Sequence, residues 1–184
     1  MRLLLAACAP LLLLFPVLRG PVPQQGGAQF LDGIGETALV GRYVFGGTAE
    51  DSSRNHFHAT LRGAGAAFVD DTRFGRVLEL AGNGGHVRLP GHALAGEDTI
   101  SVAAWLNLPT GATGPVFDFG QGPSARLSAE VTAAGFRASV AFGEVRAETR
   151  AATVPVNQWV HLAVVLDPAR RSLTTYVDGA AVGQ

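Results

Sequence analysis

The chain has 184 residues, room for one domain and not comfortably for two. Fourteen arginines, no lysine and fifteen acidic residues give a net charge of -1, and the charges are scattered; without a basic stripe, a nucleic-acid partner is not expected. The single cysteine, Cys8, leaves no disulfide framework to read.

The N-terminus reads as an export signal covering residues 1–28. Met1 and Arg2 form a short positive start, Leu3 to Leu18 is almost entirely apolar, and Gly26-Gly27-Ala28 supplies the small residues of a cleavage site. Pro10 and Pro16 interrupt the run, which is shorter than the roughly 20 apolar residues a membrane span needs. Retention as an anchor is the alternative. A lipoprotein signal at Leu5-Ala6-Ala7-Cys8 is disfavoured because the apolar run continues to Leu18. Cleavage before Gln29 removes Cys8, Arg2 and Arg19, which shifts the net charge from -1 to -3. The expected location is therefore extracellular or periplasmic, with no membrane span in the mature chain. The 156 residues left (184 minus 28) suffice for one core, burying about 68–70% of the unfolded surface.

Residues 29–38 are polar and glycine-containing, a lead-in to a domain over 39–184. From there on, short apolar runs alternate with Gly, Pro, Asn and Asp, and no stretch keeps helical spacing for three turns. Val40–Phe45 is the first expected strand, followed by a short one at Ala59–Arg62. Val77–Leu80 and His86–Leu89 are expected to be joined through Asn83-Gly84-Gly85. In Thr99–Leu106, alternation puts Ile100, Val102, Ala104 and Leu106 on one face and Trp105 on the other. Pro115–Phe119, Arg126–Val131, Phe136–Phe142, Trp159–Leu166 and Leu173–Val177 follow. The last runs into Asp178-Gly179, a strong signal for a two-residue hairpin turn, with Ala180–Val182 returning. About ten short strands without intervening helices imply antiparallel pairing. A double-sheet jelly roll is the architecture that manages the resulting edges.

Tyr43-Val-Phe45 is followed by Asp51-Ser-Ser-Arg-Asn55 and His56-Phe-His58-Ala-Thr60, an aromatic strand and then an oxygen-rich loop. With the motifs after it, this opening resembles laminin-G-like, concanavalin A-like jelly-roll modules of the bacterial secreted type, which begin with an aromatic strand and an Asp-Ser-Ser-Gly-Asn loop. Arg54 and Ala59 stand where the family usually has glycine. Phe74 to Leu80, His86 to Pro90, Thr99 to Asn107, Val116 to Gly120, Trp159 to Val164 and Thr175 to Gly179 follow in the family's order. The resemblance spans about Leu39 to Gly183 and implies an all-β, antiparallel sandwich. It also implies a final strand beside the first that is not found before Gln184, so Val40–Phe45 is expected to lack its neighbour and the chain to be a fragment. The Val116-Phe-Asp-Phe-Gly120 version is similar to modules attached to arabinofuranosidase-type hydrolases.

Candidate chemistry is sparse. Asp51 and Asn55 flank Ser52 and Ser53 in a loop rich in oxygen donors; the alternatives are an Asx turn and a hard cation. The resemblance implies a structural Ca2+ there. His56 and His58 share one face of an extended segment, and a zinc site would need further ligands. His86, His92 and His161 are isolated. Trp105, Trp159, Tyr43 and Tyr176 could stack on sugars but are expected in the core, where aromatics bury large area. Asp70 and Asp71 are adjacent and diverge in extended chain, which does not make a glycosidase pair. No Gly-x-Ser-x-Gly elbow or phosphate loop is present, so no catalytic residue is expected. The expected function is a non-catalytic, carbohydrate-associated accessory module with a polysaccharide or glycan as partner. The alternatives are the front part of a secreted glycoside hydrolase, with a catalytic domain beyond residue 184 as the intramolecular partner, and a structural or adhesive module without glycan affinity.

Overall fold

The computed structural model describes residues 3–6 and 38–184. The expected export signal, apart from Leu3–Ala6, and the lead-in apart from Ala38 lie outside the described residues. The described chain is all β, without helix, in three antiparallel sheets. The strands are β1 (Leu3–Ala6), β2 (Thr60–Arg62), β3 (Ala66–Asp71), β4 (Gly75–Leu80), β5 (His86–Arg88), β6 (Ile100–Asn107), β7 (Gly114–Gly122), β8 (Ala125–Thr132), β9 (Gly135–Phe142), β10 (Val145–Glu148), β11 (Trp159–Asp167), β12 (Ser172–Val177) and β13 (Ala180–Gly183). A seven-stranded sheet runs β13-β12-β11-β6-β1-β4-β3, a four-stranded sheet β10-β9-β8-β7, and β2 pairs with β5.

Alternation decides what faces inward. In β6 and β11 the register sets Leu106 opposite Val160, Ala104 opposite Leu162 and Val102 opposite Val164. In β8 and β9 it sets Val131 opposite Phe136, Ala129 opposite Ala138 and Leu127 opposite Val140. These two apolar faces pack on each other in one hydrophobic cluster, as a sandwich requires. Leu106 and Val160 are fully buried, Phe136 nearly so. The tight turns follow from the residues that allow them. Asp178 and Gly179 both have positive φ (48° and 81°), the combination a two-residue turn between twisted strands needs. A hydrogen bond from His161 N to Asp178 Oδ1 (2.9 Å) and one from Asp178 N to the His161 carbonyl (2.8 Å) tie that turn to β11. Gly135, at φ 119°, opens β9 where a side chain would strike the Ala152 carbonyl.

Three expectations are corrected. Val40–Phe45 is no ladder strand; it makes only an isolated bridge from Tyr43 to Asp51, because Phe45 turns into the left-handed region (φ 55°) and Gly46-Gly47 follow. Val77–Leu80 and His86–Leu89 are not partners. The former lies in β4 and pairs with β3, while β5 pairs with β2, so the glycines at 84 and 85 pass the chain from one sheet to another. The tryptophans are outside the inter-sheet core, as described below. β3 and β10 were not expected; Ala66 and Ala67 carry little hydrophobic signal, and all four residues of β10 are exposed. Replacement of Phe136 by Ala should cost about 3–5 kcal/mol, read as a fall in the urea midpoint with unchanged m-value.

Candidate functional site

Asp51 organises the loop in which a cation was expected. Its carboxylate accepts four hydrogen bonds: Oδ1 from Arg42 N (2.8 Å) and Ser53 N (2.8 Å), Oδ2 from Ser53 Oγ (2.8 Å) and Phe57 N (2.9 Å). Asp51 and Ser53 are buried. Burial alone would raise the Asp51 pKa, but the N–H groups of Arg42, Ser53 and Phe57 and the Ser53 hydroxyl hold the carboxyl below its ordinary value. Asn55 turns its amide the other way, donating from Nδ2 to the carbonyls of Leu39 and Val40 (both 3.0 Å). A carboxylate has about four lone-pair sites, and here four donors already point at them. Asp51 and Asn55 as arranged do not fit a calcium site; they build a hydrogen-bonded turn. Among the described residues, no group of three or more His, Cys, Asp and Glu side chains converges as a metal would require.

The neighbouring aromatics serve the same loop. Tyr43 donates its hydroxyl to the Phe57 carbonyl (2.6 Å), and burial with the negative Asp51 nearby pushes its pKa up to about 12. His58 accepts the Asp51 N–H on Nδ1 (3.2 Å), and its ring lies 5.8 Å from that of His56. His92 packs edge-on against Phe57, ring centres 5.1 Å apart.

Trp105 and Trp159 lie on the outer face of the seven-stranded sheet, half-buried under the turn between β3 and β4. Phe74 meets Trp159 edge-on at 4.9 Å and Trp105 at 5.9 Å, and the Arg73 guanidinium sits 5.2 Å from the Trp105 ring centre. Trp159 donates its indole N–H to Asp71 Oδ2 (3.2 Å). Burial would raise the Asp71 pKa, but the N–H groups of Phe74, Arg73 and the Trp159 indole, with the Arg73 charge, hold it low. His161 packs 5.3 Å from Trp105 on the same face. With their rings used in holding a hairpin turn, the tryptophans are not an open sugar platform.

The exposed chemistry gathers on the four-stranded sheet. Its solvent face carries Asp118, Ser128, Ser139 and Glu148 in one cross-strand row. Arg126 grips Asp118 through two N–H groups, Nε at 2.7 Å. Arg137 holds Glu130 (2.6 and 2.8 Å) and reaches Glu148 (3.3 Å). At the end of this sheet an open depression of about 400 Å3 is lined by Asp118, Gly120, Gly122, Pro123 and Arg126. The hairpin tip beside it is tied on by Gly143 N donating to the Ser124 carbonyl (2.8 Å) and carries Phe142, 75% exposed, and Val145, 64% exposed. Alternation sets Arg126 and Phe142 on opposite faces, so the rim offers a charged side and an apolar side. Sequence reading missed this rim. Gly122-Pro123 and Gly143 flag turns, but only the register shows that they lie side by side.

The family model described as "Concanavalin A-like lectin/glucanases superfamily" matches residues 81–184, more than half of the chain. The chain belongs to this superfamily. No curated protein and no solved structure matches it. Membership in the superfamily supports a carbohydrate-binding or glycosidase-related module. The matched residues cover β5 to β13, hence all of the four-stranded sheet and its rim.

Asp51→Ala should lower stability by about 1–3 kcal/mol, since it strands three buried or half-buried N–H donors. Because the folded-state pKa of Asp51 is depressed, its contribution is complete above the unfolded value near about 3.9 and is lost as pH falls through the lower folded value. Thermal melts of both proteins across that acid range should therefore converge towards low pH.

Proposed function

We propose that this chain is a non-catalytic extracellular accessory module that binds polysaccharide along the rim of its four-stranded sheet. The observation that carries this reading is the open depression lined by Asp118 and Arg126 beside the protruding Phe142. Sugars are recognised by planar polar groups that bond hydroxyls together with apolar surface that covers the ring face. The Arg126–Asp118 pair supplies donors and acceptors held in one geometry on one face of the rim, and Phe142 supplies apolar surface on the other face, so the two contact different sugar residues of a chain that passes over the sheet end. Surface ion pairs of this kind add little stability, so the pair serves orientation.

Superfamily membership supports the same reading, and so does the leader-like start of the sequence, which fits export. Glycoside hydrolysis needs a carboxylic acid held protonated by a raised pKa. Among the described residues, the three aspartates whose pKa values depart from the ordinary range, Asp51, Asp71 and Asp167, all move down. Glu130 and Glu148 share Arg137 as ion-pair partner.

Affinity electrophoresis through gels containing a panel of plant and bacterial polysaccharides tests the proposal. At least one polysaccharide should retard the protein, with Phe142→Ala and Arg126→Ala each weakening retardation about tenfold or more, equivalent to about 1.4 kcal/mol, at unchanged melting temperature. Free migration in every gel, or retardation unchanged in both variants, overturns it.

A further inference from the structure

The two-stranded sheet carries a charge pattern unlike that of the four-stranded one. β2 and β5 pair antiparallel with Thr60 opposite Arg88, Leu61 opposite Val87 and Arg62 opposite His86. Leu61 and Val87 are half-buried, while Thr60, Arg62, His86 and Arg88 are exposed, so alternation puts those four on one solvent face. Arg62 and Arg88 are diagonal neighbours, about 7–8 Å apart at the backbone, within reach of one ligand for side chains of this length. Glycine contacts fix the ribbon at its Arg62–His86 end: a side chain at Gly63 would strike the Gly84 carbonyl, and one at Gly85 would strike Gly65. The His86 ring is held as well. Its Nδ1 lies 2.9 Å from the Gly84 carbonyl, which can only accept, so Nδ1 carries a proton and Nε2 is the nitrogen left for a partner. Arg126, Arg137 and Arg170 each pair with an acidic side chain, but among the described residues neither Arg62 nor Arg88 forms an ion pair.

We infer that the exposed face of β2 and β5 is a second binding site, for a polysaccharide of uronic acids. A guanidinium presents a planar fork that matches a carboxylate in two parallel hydrogen bonds. Arg62 and Arg88 each take a carboxylate of the chain, and the Thr60 hydroxyl and His86 Nε2 bond its ring hydroxyls. Like charges set across a short ladder oppose its pairing, and the negative ligand offsets that repulsion. The glycine contacts hold the two strands in place beforehand, so little backbone order is lost on binding. The face shares no residue with the rim of the four-stranded sheet, and its cations are open where Arg126 is already engaged by Asp118. The choice of a sugar acid rests on the carbohydrate reading above; the anion-binding face does not.

Affinity electrophoresis of the full chain through gels containing polygalacturonate tests the inference, with methyl-esterified polygalacturonate, dextran sulfate and polyglutamate as comparison polymers. Polygalacturonate should retard the protein. Esterification, which removes the charge, should abolish retardation, and added NaCl should weaken it because exposed charges are screened. Arg62→Gln and Arg88→Gln should each weaken retardation about tenfold, and together abolish it, at unchanged melting temperature. Arg170→Gln, which removes a charge from the turn between β11 and β12, should leave it unchanged. Free migration through polygalacturonate, retardation that persists in the double variant, or equal weakening by Arg170→Gln overturns the inference. Stronger retardation by dextran sulfate or polyglutamate than by polygalacturonate also overturns it, since the face would then read charge without the sugar acid. The rim is scored separately, by Phe142→Ala and Arg126→Ala on the polysaccharide panel, so either site can fail while the other stands.

Discussion

A strand offers each side chain one of two directions, and two stacked sheets share a single interior. Leu106, Val160, Leu162 and Val164 of one sheet take that interior together with Leu127, Val131 and Phe136 of the other. Once those residues face inward, every residue beside them in sequence must face out. That is why Trp105 and His161 sit on the outside of a sheet despite their apolar area, and why Ser128, Glu130 and Arg137 form a flat polar surface.

The outward set is then handled differently on the two sides. On the seven-stranded sheet the outward aromatics are covered by the turn between β3 and β4, with Arg73 over Trp105 and Asp71 under the Trp159 indole. On the four-stranded sheet nothing among the described residues covers the outward set; its charges pair with one another and stay in water. The first side thus spends its aromatics on holding a hairpin in place, and the second keeps its polar groups available for contact. The Asp51 loop is a third solution, in which one buried carboxylate gathers N–H groups that have no ladder to join.

Much of this was legible in the sequence because alternation is a local signal. The faces of β6, the run of β11 and the Asp178-Gly179 turn follow from neighbouring residues alone. What failed required knowledge of partners. Val77–Leu80 and His86–Leu89 look like a hairpin across Asn83-Gly84-Gly85, but the chain crosses between sheets there, and glycine permits either path. Val40–Phe45 has strand composition, yet Asp51 captures the Arg42 N–H that a ladder would have used. The tryptophans were expected inside on area alone, although the alternation already noted for Trp105 pointed outward. Oxygen-rich composition at Asp51 and Asn55 could not say whether the oxygens would meet a cation or the chain's own N–H groups. The Arg126–Phe142 rim depends on the adjacency of two turns, which no local pattern encodes.

The orientation of β1 sets what can happen around it. β4 and β6 each run antiparallel to β1, so they run parallel to one another. Direct closure of β4 onto β6 would have to form a parallel ladder, with slanted and weaker bonds, after a sideways shift of about 4.8 Å. That shift would pull the β3–β4 turn across the indoles that hold it. β4 and β6 are therefore each matched to the antiparallel strand between them and not to one another.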